Sequence, residues 1–248
     1  MAARILLAAA GLTKVFPSQA RGAAAAVSDA TFELREGEIL AVIGPNGAGK
    51  TTLVDLLATV LAPTSGALLI DGRDALADRR GAIGAIGYVP SGGRSLYPRL
   101  TVAQNLRFFA ALHGFCPAEA DLRARAALRL TGGSEAARTR VDRLSDGMVG
   151  RVTLARAMLH DPAVLLLDEP TRSIDPVHRP ALLRAIRRYV DAPGKGAVLV
   201  THDLGDVFDI ANRVALMQQG RIAQLAPVAT VRRDMSVLHA IDAGRQGR

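Results

Sequence analysis

Eight residues between Gly44 and Thr51 have the composition of a phosphate-binding loop. Their sequence is Gly-Pro-Asn-Gly-Ala-Gly-Lys-Thr, and they lie between an apolar run and a segment with helical periodicity. The glycines let the backbone curve closely enough to point successive N–H groups at phosphate oxygens, and the helix adds the positive end of its dipole. In such a loop Lys50 contacts the β- and γ-phosphates and the Thr51 hydroxyl binds Mg²⁺. The candidate nucleotide contacts are Gly44, Pro45, Asn46, Gly47, Ala48, Gly49, Lys50, Thr51 and Thr52.

Two carboxylates follow a second apolar run, at residues 164–167. Asp168 comes at the carboxyl end of that run, and carboxylate oxygens are ligands that Mg²⁺ prefers, so Asp168 joins Thr51 as a candidate metal-binding residue. Glu169 can serve as general base for a water that attacks the γ-phosphate. With Lys50, these residues predict Mg²⁺-dependent hydrolysis of a nucleoside triphosphate.

The elements that must position these residues alternate between strands and helices. Short runs of Val, Ile and Leu are typical of buried parallel strands. The predicted strands cover 5–9, 26–34, 39–43, 68–70, 83–89, 164–167 and 197–200, with a final hairpin of 214–217 and 221–225. The predicted helices between them cover 101–113, 117–130 and 148–160. The pattern therefore predicts an α/β fold with a parallel sheet and an inserted helical region.

Several short motifs occur in one order along the chain. They are Leu144-Ser145-Asp146-Gly147-Met148, Arg156-Ala157, Asp168-Glu169-Pro170-Thr171, Ser173-Ile174-Asp175 and Thr201-His202. This order, over about residues 5–225, resembles the ATP-binding subunit of ABC transporters. The tract 94–101, together with Glu-Pro-Thr-Arg-Ser at 169–173, is most similar to bacterial exporters of the ABC-2 type.

The resemblance implies a P-loop NTPase core with a parallel sheet, an antiparallel β subdomain and an inserted helical subdomain. The core is expected at about 1–93 and 160–225, the helical insert at about 94–159, and a C-terminal tail at 226–248. It further implies a dimer of ATPase subunits, identical or different, and a separate transmembrane permease subunit. The expected location is the cytoplasmic face of a bacterial inner membrane.

The resemblance also assigns roles to residues outside the loop. Phe16 is expected to stack on adenine, and His202 to contact the γ-phosphate during catalysis. Ser145 and Gly147 are expected to bind the γ-phosphate of ATP held by the other subunit, and Asp175 to lie at the same dimer interface. A single chain would then have no complete site.

Two positions depart from the family pattern. Ser91 stands where a glutamine usually reaches Mg²⁺, and it is too short to make that contact without water; Gln104 lies in the next predicted helix and is not assigned the role. Asp146 replaces a glycine, and its carboxylate would repel a facing γ-phosphate. One hypothesis is a working ATPase that tolerates both changes. The other is a weakened regulatory subunit paired with a second ATPase.

Composition bears on three other classes of protein: membrane-spanning, disulfide-stabilised and nucleic-acid-binding. The chain has 248 residues, 49% hydrophobic, with a net charge of +8 that comes almost entirely from arginine. Its longest charge-free stretch is shorter than a membrane span, and the single Cys116 excludes an internal disulfide framework. A soluble family member acting on nucleic acid would explain the charge, but the arginine clusters lack interleaved aromatics, so nucleic acid is not the expected partner.

Overall fold

The larger sheet of the fold is mainly parallel. The computed structural model describes residues 3–17, 24–92, 95–172 and 174–233. This sheet has the order β10-β9-β3-β8-β7-β6, and only β10 runs antiparallel to its neighbour. Its strands are β3 (Ile39–Ile43), β6 (Ile86–Val89), β7 (Val164–Asp168), β8 (Gly196–Val200), β9 (Arg213–Gln218) and β10 (Arg221–Pro227). Every residue of β3, β7 and β8 is buried, which confirms the interpretation of these apolar runs.

The second sheet is antiparallel, with the order β2-β1-β4-β5. It consists of β1 (Ile5–Phe16), β2 (Ala24–Arg35), β4 (Ser65–Ile70) and β5 (Arg73–Asp74). These strands are longer than predicted, and β4 begins at Ser65, which pairs with Thr13 of β1. The two sheets share a large apolar core that includes Leu7, Leu34 and Val42.

Five helices surround the sheets. They are α1 (Lys50–Leu57), α2 (Arg79–Gly84), α6 (Arg179–Val190), α7 (Leu204–Ile210) and α8 (Val228–Arg233). The predicted strand at 83–89 is wrong over its first residues, which end α2. The reason is local: the Asp78 carboxylate accepts a hydrogen bond from Gly81 N at 2.9 Å and caps that helix.

The helical insert contains α3 (Val102–Leu112), α4 (Pro117–Thr131) and α5 (Asp146–Ala157), and its core includes Leu106, Leu128 and Val152. Thr101 and Gln104 form a capping box at the start of α3, so Gln104 has a structural role. Helix α5 begins two residues earlier than predicted because Ser145 caps it, and it ends before His160.

Parallel strands bring the chemistry to one edge of the larger sheet. β8 lies between β3 and β7, so the residues that follow these strands are neighbours: Gly44, Asp168 and Thr201. Within the described ranges, no helix is both long and apolar enough to cross a membrane. The division between domain and tail at residue 225 remains a prediction; β10 continues to Pro227, and residues 234–248 lie outside the described ranges.

Candidate nucleotide site

The loop after β3 is confined between two neighbouring strands. A Cβ atom on Gly44 would lie 2.1 Å from Met217 O of β9, and one on Gly49 would lie 2.1 Å from Ala26 O of β2. Gly49 also has a φ of 99°, which side-chain-bearing residues rarely adopt. The backbone of β9 and β2 therefore leaves no space for a side chain at these two glycines.

Lys50 points into the curve of this loop. Its Nζ donates to Gly44 O at 2.8 Å and to Pro45 O at 2.9 Å, and the side chain is buried. Burial lowers the pKa of Lys50, while the carboxylates of Glu169 and Asp168 oppose that shift. The result is a fixed positive charge among backbone groups, which suits an anionic phosphate.

Asp168 is a buried carboxylate at the end of β7 with one oxygen left over. It is 1% exposed, and its Oδ2 has no hydrogen-bond partner among the described residues. Burial raises the pKa of Asp168, whereas the nearby hydroxyls of Ser91 and Thr51 favour its charged form. A buried oxygen beside two hydroxyls is a donor set that fits Mg²⁺.

Glu169 and His202 form a hydrogen-bonded pair at the mouth of the site. His202 Nδ1 lies 2.8 Å from both Glu169 Oε1 and Oε2. Glu169 has a φ of 52°, and its N–H donates to Val200 O at 2.9 Å, so β8 holds it in this strained conformation. The pair can accept a proton at Glu169 and keep the imidazole oriented.

A cavity of about 320 Å³ brings half of the predicted residues together. Its wall consists of Ala26, Asn46, Gly47, Gly49, Lys50, Thr51, Thr52, Asp168, Glu169, Arg172 and Val200. Arg172 was missed by the sequence interpretation. The available signal was a basic residue three positions after the candidate general base, in the turn closed by Arg172 N and Glu169 O.

Eight predicted residues do not line this cavity: Gly44, Pro45, Ala48, His202, Phe16, Ser145, Gly147 and Asp175. Phe16 lies at the end of β1, 41% exposed, with Lys14 Nζ 5.3 Å from its ring centre. Ser145 is exposed at the start of α5, whereas Gly147 is buried, and a Cβ atom placed on it would lie 3.6 Å from the Cβ of His178. Asp175 is exposed and accepts from Val177 N. Their nucleotide contacts remain predictions.

Asp146 lines a second cavity, of about 220 Å³, between α5 and the segment after β7. Glu169 and Arg172 belong to the walls of both cavities. Asp146, which departs from the family motif, therefore lines a neighbouring cavity and not the phosphate cavity of its own chain.

An ion-pair network behind His202 was not predicted. Arg179 of α6 lies 2.6 Å from both Asp203 and Asp206, and the buried Asp206 also accepts from the Thr171 hydroxyl. Burial works against the charge of Arg179, yet the two carboxylates raise its pKa above its ordinary value. The network ties the start of α7, next to His202, to the segment after Glu169. The sequence signal for this network was a pair of acids, Asp203 and Asp206, three residues apart at the start of α7.

Sequence comparison connects this geometry to known proteins. The profile of the family described as ABC transporter matches residues 27–172. The chain is 34% identical over 229 residues to the glycine betaine transport ATP-binding protein OpuAA of Bacillus subtilis, covering 89% of this chain and 54% of that protein. It is 35% identical over 206 residues to the Nod factor export ATP-binding protein I of Paraburkholderia xenovorans, covering 83% and 67%. The chain thus spans between about half and two thirds of these relatives.

Structural comparison agrees. The cbiO1 protein of Clostridium perfringens, described as part of an ABC transporter complex, superposes with a TM-score of 0.81 at 26% identity. The superposition covers 96% of this chain and 95% of that one.

Proposed function

The chain belongs to the ABC transporter family of ATP-binding ATPases, and from that membership we propose that it powers an ABC-2 type exporter through ATP-driven dimerisation. The observation that carries the catalytic part is the Glu169–His202 pair, with Nδ1 2.8 Å from the carboxylate; Glu169 lies on the wall of the cavity that contains Lys50.

The phosphates of ATP bind the loop from Gly44 to Thr51. Backbone N–H groups of this loop and the Nζ of Lys50 neutralise the phosphate charge, and Phe16 stacks on the adenine. Thr51 and Asp168 hold Mg²⁺, with the orphaned Oδ2 as the available oxygen. When bound, Mg²⁺ neutralises charge that develops on the phosphate oxygens.

Hydrolysis uses residues of the same edge. Glu169 accepts the proton of the attacking water, and His202, oriented by Glu169 through Nδ1, contacts the γ-phosphate with its other nitrogen. The backbone conformation at Glu169 is fixed by Val200, so the carboxylate does not need to reorganise during the reaction.

Dimerisation completes the site. Ser145, Gly147 and Asp175 do not line their own chain's phosphate cavity, which is why we assign them to the nucleotide of a second subunit. Ser145 presents a hydroxyl at the N-terminus of α5, where the helix dipole favours an anion. Whether the second subunit is identical or different does not change this arrangement.

The transmembrane permease contacts the helical insert. Tyr97 and Phe108 are 48% and 39% exposed there and pack edge to face with centroids 5.0 Å apart. Exposed aromatics, together with the exposed Leu112 and Leu122 of the same insert, suit a protein interface. The protein then lies at the cytoplasmic face of a bacterial inner membrane, and we propose outward transport from the resemblance of the tract 94–101 to ABC-2 type exporters.

Glu169→Gln tests the catalytic assignment. Purified protein with its permease is expected to lose ATP turnover by at least about 100-fold and to accumulate a nucleotide-bound dimer, because the general base is absent. The matched control is Glu135→Gln, an exposed glutamate of the helical insert. Normal turnover in Glu169→Gln would refute the assignment.

Replacement of Tyr97 or Arg99 tests the docking surface and the direction. Transport by the reconstituted complex is expected to fall while basal ATPase activity remains. Intact transport in both variants contradicts the placement, and accumulation of cargo on the nucleotide side contradicts export.

A regulatory role is the second candidate, because Asp146 replaces the glycine of the family motif. In that case Asp146→Gly raises turnover of a mixed dimer by more than about tenfold, since it removes a charge that repels the γ-phosphate. An unchanged rate favours the working ATPase. We consider an action on nucleic acid less consistent with the chain; tight, salt-sensitive binding to DNA or RNA would reverse that preference.

A further inference from the structure

Arg172 and Lys50 are the two cations on the wall of the phosphate cavity, as far as the structure describes it. Lys50 is fixed by its two backbone acceptors, Gly44 O and Pro45 O. The Arg172 side chain is exposed, and its guanidinium has neither an ion pair nor a hydrogen bond with a described residue. The phosphate cavity therefore has beside it a positive charge with no counterion in the described part of the chain.

Asp146 has an unbalanced charge of the opposite sign. It is the first residue of α5, where the helix dipole stabilises an anion. Its carboxylate is exposed and has no ion pair with any residue in the described ranges. In the proposed function the neighbouring Ser145 binds the γ-phosphate of a second subunit, so the charge of Asp146 acts against that contact.

The second cavity brings these two charges to facing walls. Asp146 lies on the wall formed by α5, and Arg172 lies on the wall formed by the segment after β7. The two walls come together at Gly150, where an added Cβ atom would lie 2.7 Å from Cδ1 of Ile174. Glu169, the remaining charged residue of this cavity, is an acid. Among the described lining residues, Arg172 is therefore the only cation available to Asp146.

We propose that Arg172 pairs with Asp146 of the same chain across this cavity and cancels the charge that would otherwise repel the γ-phosphate. The arginine side chain is long and exposed, so it can turn into the cavity and reach the carboxylate. Arg172 is then a positioning residue that acts on the nucleotide through Asp146, and the departure of Asp146 from the family motif is compensated within the chain. This inference rests on the proposed function, because it takes the motif around Ser145 as the phosphate contact of a second subunit.

ATP turnover of four proteins, each with its permease, tests the pairing: wild type, Arg172→Gln, Asp146→Asn and the double variant. Arg172→Gln alone is expected to lower turnover at least about tenfold, because the carboxylate of Asp146 then repels the phosphate without compensation. In the Asp146→Asn background the same change is expected to have less than about a twofold effect. An equal loss in both backgrounds would show that Arg172 acts on the nucleotide directly and would overturn the proposal, as would no loss in either background.

Two further measurements separate the charge of Arg172 from a role in folding. Arg172→Lys keeps a cation and is expected to retain at least about half of the wild-type turnover. The defect of Arg172→Gln is expected to shrink as the salt concentration rises, because ions screen the repulsion. Arg138→Gln is the matched control, since Arg138 is an exposed arginine of the insert that lines neither cavity. A defect that does not respond to salt, or an equal loss in Arg172→Lys, contradicts compensation of charge.

Mixed dimers with one intact composite site test whether the pair forms within one chain. One chain carries Lys50→Met and supplies only its Ser145 motif, while the other carries Ser145→Arg and supplies only its phosphate cavity. Arg172→Gln added to the Lys50→Met chain, whose Asp146 faces the phosphate, is expected to lower the rate about tenfold. The same change in the Ser145→Arg chain is expected to have less than about a twofold effect. The reverse result would place the pair between two subunits and overturn pairing within the chain.

Failure of the proposed function has a different signature in the same experiment. If the site does not combine two chains, the mixture of Lys50→Met and Ser145→Arg chains is inactive before Arg172 is changed, which refutes both the proposed dimer and this inference. If the mixture is active and Arg172→Gln leaves its rate unchanged in either chain, the proposed function stands and the pairing of Arg172 with Asp146 is wrong.

Discussion

The phosphate loop and the start of α5 are both glycine-containing sites for an anion, yet they are built differently. Around Lys50 the loop is enclosed by β2 and β9, and the lysine is buried with two backbone acceptors. Around Ser145 the helix N-terminus is open, and both Ser145 and Asp146 are exposed. The loop around Lys50 lines a phosphate cavity within its own chain, whereas Ser145 and Asp146 do not line that cavity.

The comparison indicates which of the two regions is expected to tolerate substitutions. At Gly44 and Gly49 of the enclosed loop an added methyl group meets backbone atoms, which cannot yield cheaply, whereas Gly47 has open space. At the open helix start the same change meets a side chain or solvent. A substitution such as Asp146 is therefore compatible with the fold, and its consequences fall on the contact with a second subunit.

Gly49→Ala is expected to have the largest effect on the fold. Its Cβ would lie 2.1 Å from Ala26 O at a φ of 99°, so strain and overlap together cost about 3–5 kcal/mol. Gly47→Ala is the control, because it has a positive φ but open space, and about 1–2 kcal/mol is expected. Thermal unfolding should rank the two; equal losses would show that Ala26 does not confine the loop.

Mixing two inactive variants tests the division of labour between the regions. Lys50→Met destroys the enclosed half-site and Ser145→Arg the open one, and each alone is expected to lose about 10²–10³-fold in turnover. In an equimolar mixture, half of the dimers contain one intact site, so about a quarter of the wild-type rate should return. If the mixture stays inactive while mixed dimers form, the site does not combine residues of two chains.

The contact of His160 with Ile86 joins the end of the helical insert to the core. We expect it to have an effect of intermediate size, measured as the pH dependence of the free energy of unfolding. His160 Nε2 bonds Ile86 O at 2.8 Å, and its ring stacks on His113 with centroids 3.9 Å apart. Burial, and then the neighbouring His113, lower the pKa of His160 from 6.5 to about 4. The folded state therefore favours the neutral ring, and the unfolded chain binds the proton more tightly.

Stability should consequently be complete above about pH 6.5 and fall as pH drops toward 4, by about 2 kcal/mol from this residue. His160→Gln is expected to flatten that part of the curve in urea titrations at several pH values. The exposed His178 provides the control substitution, His178→Asn. A slope that persists in His160→Gln would assign the effect to other groups.

Gly147→Ala should have the smallest effect on the fold. Its Cβ would contact His178 at an ordinary 3.6 Å, and the position lies in the first turn of α5, so the free energy of unfolding should change by less than about 0.5 kcal/mol. Turnover by the dimer is nevertheless expected to decrease, because the second subunit approaches this backbone. Unchanged turnover would remove Gly147 from the interface.

The phosphate loop was predictable because its chemistry is local. Residues 44–51 carry the glycines, the lysine and the hydroxyl in one continuous stretch, and the strand before them is entirely apolar. The strand 86–89 was harder, since the cap at Asp78 converts the preceding residues into a helix. Arg172 and Arg156 were not identified as important, because their partners are separated from them by folding rather than by a fixed spacing.

The sequence by itself determined the identity of the phosphate loop, the acids after β7 and the alternation of apolar runs that requires a parallel sheet. The tertiary structure decided which groups meet: the 2.8 Å contact of Glu169 with His202 and the hydrogen bonds of Arg156 to Tyr88 O and Ser95 O. The physical reason is the range of the forces. Loop chemistry and hydrophobic periodicity act between residues close in the chain, whereas burial and hydrogen bonding across the sheet depend on how distant segments pack.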